Sequence, residues 1–79
     1  MSDDKKEREY VYRCRLCGQL KTGPIGSFST IDAMLVFMEL ENGEASVYRP
    51  GAMVGKTDFH HCNDGGFGIA DLIGVRDHI

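Results

Sequence analysis

The chain has 79 residues, a formal net charge of −3 with neutral histidines, and three cysteines. A domain of this length buries only about 60% of the surface of its unfolded chain, so we expect one domain whose apolar core alone gives marginal stability. The odd number of cysteines argues against a secreted disulfide framework. The lack of a long apolar run argues against a membrane span or a signal peptide. The acidic balance argues against non-specific binding to nucleic-acid phosphates. These features predict a protein of a reducing, cytoplasmic compartment without a membrane partner.

The first nine residues are almost entirely charged, with acidic and basic side chains interspersed. They show no apolar periodicity, which is typical of a solvated segment. The sequence therefore predicts a flexible charged arm over residues 1–9 and a single folded domain over residues 10–79.

The next segment combines a strand pattern with a pair of cysteines. Alternate side chains share one side of the predicted strand, and these are Tyr10, Tyr12, Cys14 and Leu16. Because two residues separate Cys14 from Cys17, a tight turn can direct both thiolates toward one point, and Gly18 can supply the left-handed backbone that such a turn often needs. Arg13 and Arg15 either stabilise the negative charge of metal-bound thiolates or are simply exposed on the strand.

Glycine and proline predict three connecting features. Residues 21–29 contain Gly23, Pro24 and Gly26. Because proline has no amide to donate to a sheet, we expect a loop or a pair of turns there. The dipeptide at residues 50–51 is expected to end a strand, and residues 52–57 to form a short connector.

The apolar middle of the chain is compatible with two structures. As a hairpin, Asn42 and Gly43 would form a two-residue turn, which is a strong hairpin signal, and apolar residues would face each other across the strands. As a helix at about 30–42, Ser29 would cap the first turn, and one apolar face would comprise Ile31, Leu35 and Met38. We favour the hairpin and keep the helix as the alternative, since Met, Leu, Glu and Ala are good helix formers.

A second group of possible metal ligands, His60-His61-Cys62, precedes a glycine-rich turn over residues 63–66. On an extended chain, residues two apart point the same way, so His60 and Cys62 can converge on one ion while His61 points away. We therefore prefer His60 as the ligand, with His61 as the alternative. Residues 67–75 then predict a single helical turn or, alternatively, a short strand.

Cys14, Cys17, His60 and Cys62 together form a candidate metal site. Thiolate and imidazole donors in a tetrahedral set suit Zn²⁺, which we expect as the cofactor. The long segment between the two ligand pairs would then be an insertion, tolerated because the cost of loop closure grows slowly with length. Four protein ligands leave no open position for water, so we expect no catalytic residues and no enzymatic activity.

Three other roles for the cysteines compete with the zinc site. They could be buried or idle residues that bind no metal. An iron–sulfur centre would call for more than three cysteines, and a thioredoxin-like redox pair would need a strand–helix pattern around Cys14 and Cys17 that is absent.

The segments Cys14-Arg15-Leu16-Cys17-Gly18 and His60-His61-Cys62, with the tail Gly68-Ile69-Ala70-Asp71-Leu72-Ile73-Gly74, resemble the zinc-ribbon class. More loosely, the chain is similar to small uncharacterised zinc-binding proteins of bacteriophages and prophages. This resemblance implies a small β-rich, zinc-stabilised domain, built of β-hairpins with at most one short helix, and an adaptor-like role without an activity. The alternative fold is an α+β domain with a central helix at about 30–42.

Two functions follow from these expectations. The first is a protein–protein interaction or assembly module, such as a phage structural (virion-associated) or host-directed accessory protein, able to form homo-oligomers. The second is a nucleic-acid-binding zinc ribbon that assists transcription, with contacts from Arg13, Arg15, Lys21, Tyr10 and Tyr12. The acidic charge favours a protein partner over nucleic acid.

Overall fold

The computed structural model describes residues 5–49 and 52–78. Its elements are β1 (Lys6–Cys14), β2 (Leu20–Phe28), α1 (Thr30–Glu41), β3 (Ser46–Arg49), β4 (Ala52–Gly55), β5 (Thr57–His61) and β6 (Phe67–Asp77). An antiparallel four-stranded sheet has the order β2-β1-β6-β5, and β3 pairs with β4 in a separate antiparallel ribbon. The expected small β-rich domain with one short helix is confirmed. Among the described residues, no helix has the length and hydropathy needed to cross a lipid bilayer.

β1 begins within the segment that was predicted to be a charged arm. Of residues 1–9, the first four lie outside the described residues, whereas residues 6–9 belong to β1. Two charged side chains of this part are buried because both have partners. Arg8 donates to a backbone carbonyl of β2, and Glu9 accepts from Arg76 in β6 and from His78 just beyond it.

β2 is a strand where the sequence predicted a loop or turns over residues 21–29, so that prediction is wrong. β2 lies at the edge of the sheet, where a proline is tolerated. The pairing of β1 with β2 shifts at Tyr10, which faces both Gly23 and Pro24, as in a β-bulge. A side chain at Gly23 would collide with the ring of Tyr12, so this glycine allows the two strands to pack closely.

Residues 30–41 form a helix, so the favoured hairpin around Asn42 and Gly43 is wrong and the alternative of a central helix is correct. At its start, the Ser29 hydroxyl accepts from the Asp32 amide at 3.2 Å, and the Asp32 carboxylate accepts from the Ser29 amide. At its end, Asn42 is the C-cap, and Gly43 follows with φ +108°. A glycine with positive φ ends a helix as readily as it turns a hairpin.

The helix also presents a different face to the core from the one that its spacing predicted. The expected core face is exposed to solvent, and it comprises Ile31, Leu35 and Met38. The buried side chains lie on the opposite side, and they are Ala33, Val36 and Leu40. Both sides of α1 are apolar, so the periodicity did not show which of them is buried.

The core lies between the four-stranded sheet, α1 and the β3–β4 ribbon, all of which contribute to it: Tyr10, Tyr12, Phe28, Ala33, Val36, Leu40, Val47, Val54 and Ala70. The Tyr10 ring stacks on Phe28 with centroids 5.1 Å apart and meets Phe37 edge-on at 6.1 Å. The Tyr12 hydroxyl donates to the Gly55 carbonyl oxygen at 2.6 Å, which ties the sheet to β4.

Two predictions for the second half of the chain are also wrong. Residues 52–57, expected to form a connector, contain β4 and the start of β5, and residues 50–51 lie outside the described residues. Residues 67–75, expected to form a helical turn, belong to β6, which agrees with the alternative of a strand. β6 pairs with β1 on one side and β5 on the other. These strand pairings determine its structure, although the spacing of its apolar residues also suits a helix.

The sheet curls so that its two edge strands, β2 and β5, approach each other. The Lys21 ammonium group lies 2.9 Å from the Asp58 carboxylate and donates to the Phe59 carbonyl oxygen at 2.8 Å. The hydrogen bond from Lys21 holds the pKa of Asp58 below its ordinary value. This contact therefore joins the two edges on the same side of the domain as the connection from β1 to β2.

Candidate metal centre

The turn between β1 and β2 carries two of the predicted ligands. Cys14 is the last residue of β1, and Cys17 lies in the turn that follows. The Gly18 amide donates to the Cys14 carbonyl oxygen at 2.9 Å, which closes the turn. Gly18 has φ +79°, the left-handed conformation that its position after the cysteines predicted.

The other two predicted ligands lie at the end of β5 and at the start of its connection to β6. His60 belongs to β5, and Cys62 follows the last residue of that strand. The Cys62 amide donates to the Gly66 carbonyl oxygen at 2.8 Å, and the Gly65 amide donates to the Cys62 carbonyl oxygen at 3.3 Å. Gly65 has φ +93°, so this turn requires a residue that tolerates positive φ directly behind the ligand pair.

β6 holds these two turns beside each other. Its pairing with β1 places Cys14 opposite Ala70, and its pairing with β5 places His60 opposite Gly68. A Cβ atom at Gly68 would lie 3.1 Å from the Cys14 sulfur and 2.8 Å from the Cβ atom of Leu16. Glycine at this position therefore leaves the room that the cysteine turn occupies.

The four predicted ligands form one group, in which all the donor atoms lie within 4.8 Å of one another: Cys14, Cys17, His60 and Cys62. The Cys14 and Cys62 sulfurs are 3.8 Å apart. The His60 Nδ1 atom lies 3.4 Å from the Cys17 sulfur and 3.8 Å from the Cys62 sulfur. A tetrahedral zinc ion with ordinary bond lengths separates two sulfur ligands by about 3.8 Å and a sulfur from a nitrogen by about 3.6 Å. The three distances given above are therefore close to those that one such ion requires, and the group as a whole is compact enough to hold a metal ion.

The thiols of the group differ in how readily they ionise. The backbone amides of Cys17 and Leu16 donate to the Cys14 sulfur, and chiefly the first of them lowers the pKa of the Cys14 thiol to about 6. Burial, together with the neighbouring Cys17 and Cys14 thiols, raises the pKa of Cys62 to about 12. A bound cation would supply the positive charge that lets all three thiols ionise at once, because a coordinating thiol is deprotonated.

The histidines of the chain are placed in three different surroundings. His60 directs its Nδ1 atom at the sulfurs of the cluster. His61 is exposed and lies against the Phe67 ring, with ring centroids 5.6 Å apart. His78 lies at the end of the domain, where its Nδ1 atom is 2.9 Å from a Glu9 carboxylate oxygen. The alternation along β5 therefore separates His60 from His61 as the sequence predicted.

Arg15 is fixed next to the centre by Asp71, to which the sequence analysis gave no role of its own. Its guanidinium group makes two hydrogen bonds of 2.7 Å to the Asp71 carboxylate, and this pairing lowers the pKa of Asp71. The pair links the cysteine turn to β6, in addition to the bond of 2.8 Å from the Arg15 amide to the Ile69 carbonyl oxygen. Nothing in the spacing of these two residues along the chain predicts their contact.

Most of the residues predicted to contact nucleic acid are buried or paired with carboxylates. Tyr10 and Tyr12 are 2% and 1% exposed, so neither ring can stack on a base. Arg15 and Lys21 are in ion pairs with carboxylates. Arg13 remains exposed, with its Nε atom 3.5 Å from a backbone carbonyl of the same turn.

A scan of protein-family models and searches among curated proteins and solved structures found no significant match to this chain. The likeness to zinc ribbons and to phage proteins therefore rests on the motif alone. The structure adds that three cysteines and one histidine lie close enough together to hold a metal ion.

Proposed function

We propose that this chain is a small zinc-stabilised domain that binds another protein and performs no chemistry at its metal. The observation that carries the proposal is the convergence of Cys14, Cys17, His60 and Cys62 into one complete set of four donors. Structural zinc sites use four protein ligands, whereas catalytic zinc sites keep one position for water or substrate. Three thiolates and one imidazole favour zinc over magnesium or calcium, which prefer oxygen ligands.

A structural metal suits the architecture of the domain. The core consists of few large side chains, and domains of this size commonly need a metal or another cross-link for stability. The four donors lie in or next to the two turns at one end of the sheet, and among the described residues the hydrophobic core cluster includes none of them. Zinc would close that end, and its binding energy would contribute directly to folding.

The surface supports binding of a protein partner. Thirteen large apolar side chains of the described residues are exposed, and several lie side by side on α1 and on the β5–β6 hairpin. Large exposed apolar patches on a soluble protein often mark sites of interaction with another molecule. The acidic net charge and the ion pairs of Arg15 and Lys21 make nucleic acid the weaker candidate.

The experiment is native mass spectrometry of protein purified without added metal, before and after treatment with a chelator, with circular dichroism on the same samples. We expect one zinc ion per chain and loss of the strand signal when zinc is removed. Substitution with Co²⁺ should give the intense visible bands of a tetrahedral thiolate site. Protein that contains no metal and keeps its structure in the chelator would overturn the zinc-stabilised domain.

Binding of a protein is tested separately, by chemical cross-linking of the tagged, zinc-loaded protein in its own cells followed by mass spectrometry. Specific cross-links to another polypeptide that disappear in a Cys17→Ser variant support the proposal. Reproducible enrichment of nucleic acid in place of protein, with a strong dependence on salt, would favour the second function instead.

A further inference from the structure

The helix α1 has two apolar sides, of which only one is covered. Eight of its twelve residues are apolar. The side that faces the core consists of Ala33, Val36 and Leu40, with Phe37 partly buried beside them. A helix of this composition is normally enclosed by protein, whereas a surface helix carries polar residues on its outer side.

The outer side of α1 forms a continuous apolar stripe. Its members are all substantially exposed: Ile31 at 53%, Met34 at 55%, Leu35 at 40% and Met38 at 60%. Residues with these spacings of three and four lie next to each other along one face of a helix. Single exposed apolar residues need no explanation, but four adjoining ones on one helix form a patch of the kind that binds another surface.

Carboxylates border this stripe on both sides. At 100° per residue, Asp32 and Glu39 project on one flank and Glu41 on the other. The segment from Thr30 to Glu44 contains no lysine and no arginine, and the last turn of the helix has no basic residue. The charges that α1 itself places beside the stripe are therefore all negative. Basic groups of other elements lie near the two ends of the helix, where the Arg8 guanidinium contacts the Thr30 hydroxyl and Lys56 lines a cavity together with Glu41.

These charges restrict what can cover the stripe. A second copy of α1 would bring carboxylates against carboxylates, which repel each other. A membrane surface carrying anionic lipids would repel the same carboxylates. A basic partner is attracted by them, and electrostatic complementarity of this kind selects partners.

We infer that the stripe of Ile31, Met34, Leu35 and Met38 is the docking site for an amphipathic helix of another protein, whose apolar side is bordered by lysine or arginine. This inference rests on the proposed function and names the surface and the partner class for it. The two methionines suit such a site because their flexible thioether side chains adapt to the partner's apolar residues. Helices that pack in this way present anchors at the same three- and four-residue spacings.

The probe is a fluorescent synthetic peptide of about five helical turns, with leucine at one face and lysine at the flanking positions. A matched peptide has glutamate in place of each lysine. We expect the basic peptide to bind the zinc-loaded protein with a micromolar Kd in fluorescence anisotropy, and the acidic peptide not to bind. The basic peptide should bind less tightly as salt is added.

Two pairs of variants locate the binding. The double variant Met34→Gln and Met38→Gln should weaken binding by about tenfold or more, since central apolar anchors carry most of the binding energy. Met53→Gln is the matched control, because Met53 is 58% exposed but lies on β4. Glu41→Lys should weaken binding of the basic peptide several-fold. Glu44→Lys should weaken it less, because Glu44 lies beyond the end of the helix.

Equal loss of binding in the Met53→Gln variant, or unchanged binding in the double methionine variant, would overturn the inference. So would a concentration-dependent dimer in analytical ultracentrifugation that the double variant abolishes, because the stripe would then bind a second copy. These outcomes leave the zinc-stabilised domain intact. If cross-linked partners of the full protein contact other faces, the stripe is not the docking site although the protein still binds a partner. Failure of the stripe can therefore be distinguished from failure of the proposed interaction function.

Discussion

Cys14 and Cys62 lie 48 positions apart in the sequence, yet their sulfur atoms are 3.8 Å apart. Cys14 does not reach Cys62 through β2, the hairpin partner of its own strand. The contact depends on β6, which pairs with the strand that ends at Cys14 and with the strand that precedes Cys62. A metal ion held by this pair and its neighbours would therefore cross-link the first strand of the chain to the last hairpin.

His60 and His61 provide a direct test of the ligand set. His60→Ala removes the Nδ1 donor that lies 3.4 Å from the Cys17 sulfur, so we expect about 10-fold or greater loss of zinc affinity and a lower melting temperature. His61→Ala removes only an exposed ring that packs on Phe67, and zinc affinity should stay unchanged. Competition with a chromophoric chelator measures both variants.

The opposite pattern, with tight binding in His60→Ala and lost binding in His61→Ala, would show that β5 presents the other imidazole to the metal.

Acid should release the metal and unfold the domain together. In the zinc-bound state the pKa of every ligating thiol is depressed below its unfolded value, so the stabilisation is complete at higher pH and is lost as pH falls and protons displace the metal. The pKa of Cys62 without metal is about 12, so this thiol ionises at neutral pH only with the cation present. Zinc release and the circular dichroism signal, followed across the same titration, should share one midpoint.

Protein pretreated with a chelator is the control, and it should lack this transition. A strand signal that persists well below the pH of zinc release would contradict a structural role for the metal.

Gly68→Ala should damage the centre although residue 68 is not a ligand. The added Cβ atom would lie 2.8 Å from the Cβ atom of Leu16 and 3.1 Å from the Cys14 sulfur. We expect a loss of about 1–3 kcal/mol in unfolding free energy, which is typical of overpacking, together with weaker zinc binding. Gly74→Ala is the matched control on the same strand, since a Cβ atom there meets nothing within 4 Å. Equal melting temperatures for the two variants would show that the cysteine turn shifts freely.

Tyr12→Phe should test the connection between the sheet and the ribbon. The hydroxyl of this buried residue donates to the Gly55 carbonyl oxygen at 2.6 Å, and its removal leaves that acceptor without this donor. We expect a loss of about 1–2 kcal/mol in a denaturant titration. Tyr48→Phe is the control, because Tyr48 is 69% exposed. A loss of the same size in both variants would mean that the bond to Gly55 contributes nothing specific.

The parts of the fold that sequence predicted are those that depend on short segments. Alternation grouped Tyr10, Tyr12, Cys14 and Leu16 on one side; the first three are buried, whereas Leu16 lies beyond the end of β1 and is exposed. The position of Gly18 behind the cysteines predicted its positive φ. Both depend on residues that are neighbours in sequence. The placement of His60 and Cys62 toward one side likewise needs only the two-residue period of a strand.

The errors arose where the same local pattern serves two structures. Asn42 and Gly43 supply a residue with positive φ, which suits a hairpin turn and a helix end equally, and the capping box at Ser29 settles the matter in the structure. The glycines and Pro24 of β2 suggested a loop because their effect depends on the Tyr12 ring and on an edge position, neither of which is visible in a short window. The face of α1 was missed because both faces are apolar.

The position of β6 has a consequence for synthesis of the protein. The strand that separates β1 from β5 in the sheet leaves the ribosome after both of them. Cys17 and His60 are 43 positions apart, so at about 5–20 residues per second the cysteine turn emerges roughly 2 to 9 seconds before its histidine partner. During that interval the first two thiols hold at most half of a coordination shell. Loading of a metal at this centre would therefore be a late event in the life of the nascent chain, completed when β6 closes the sheet.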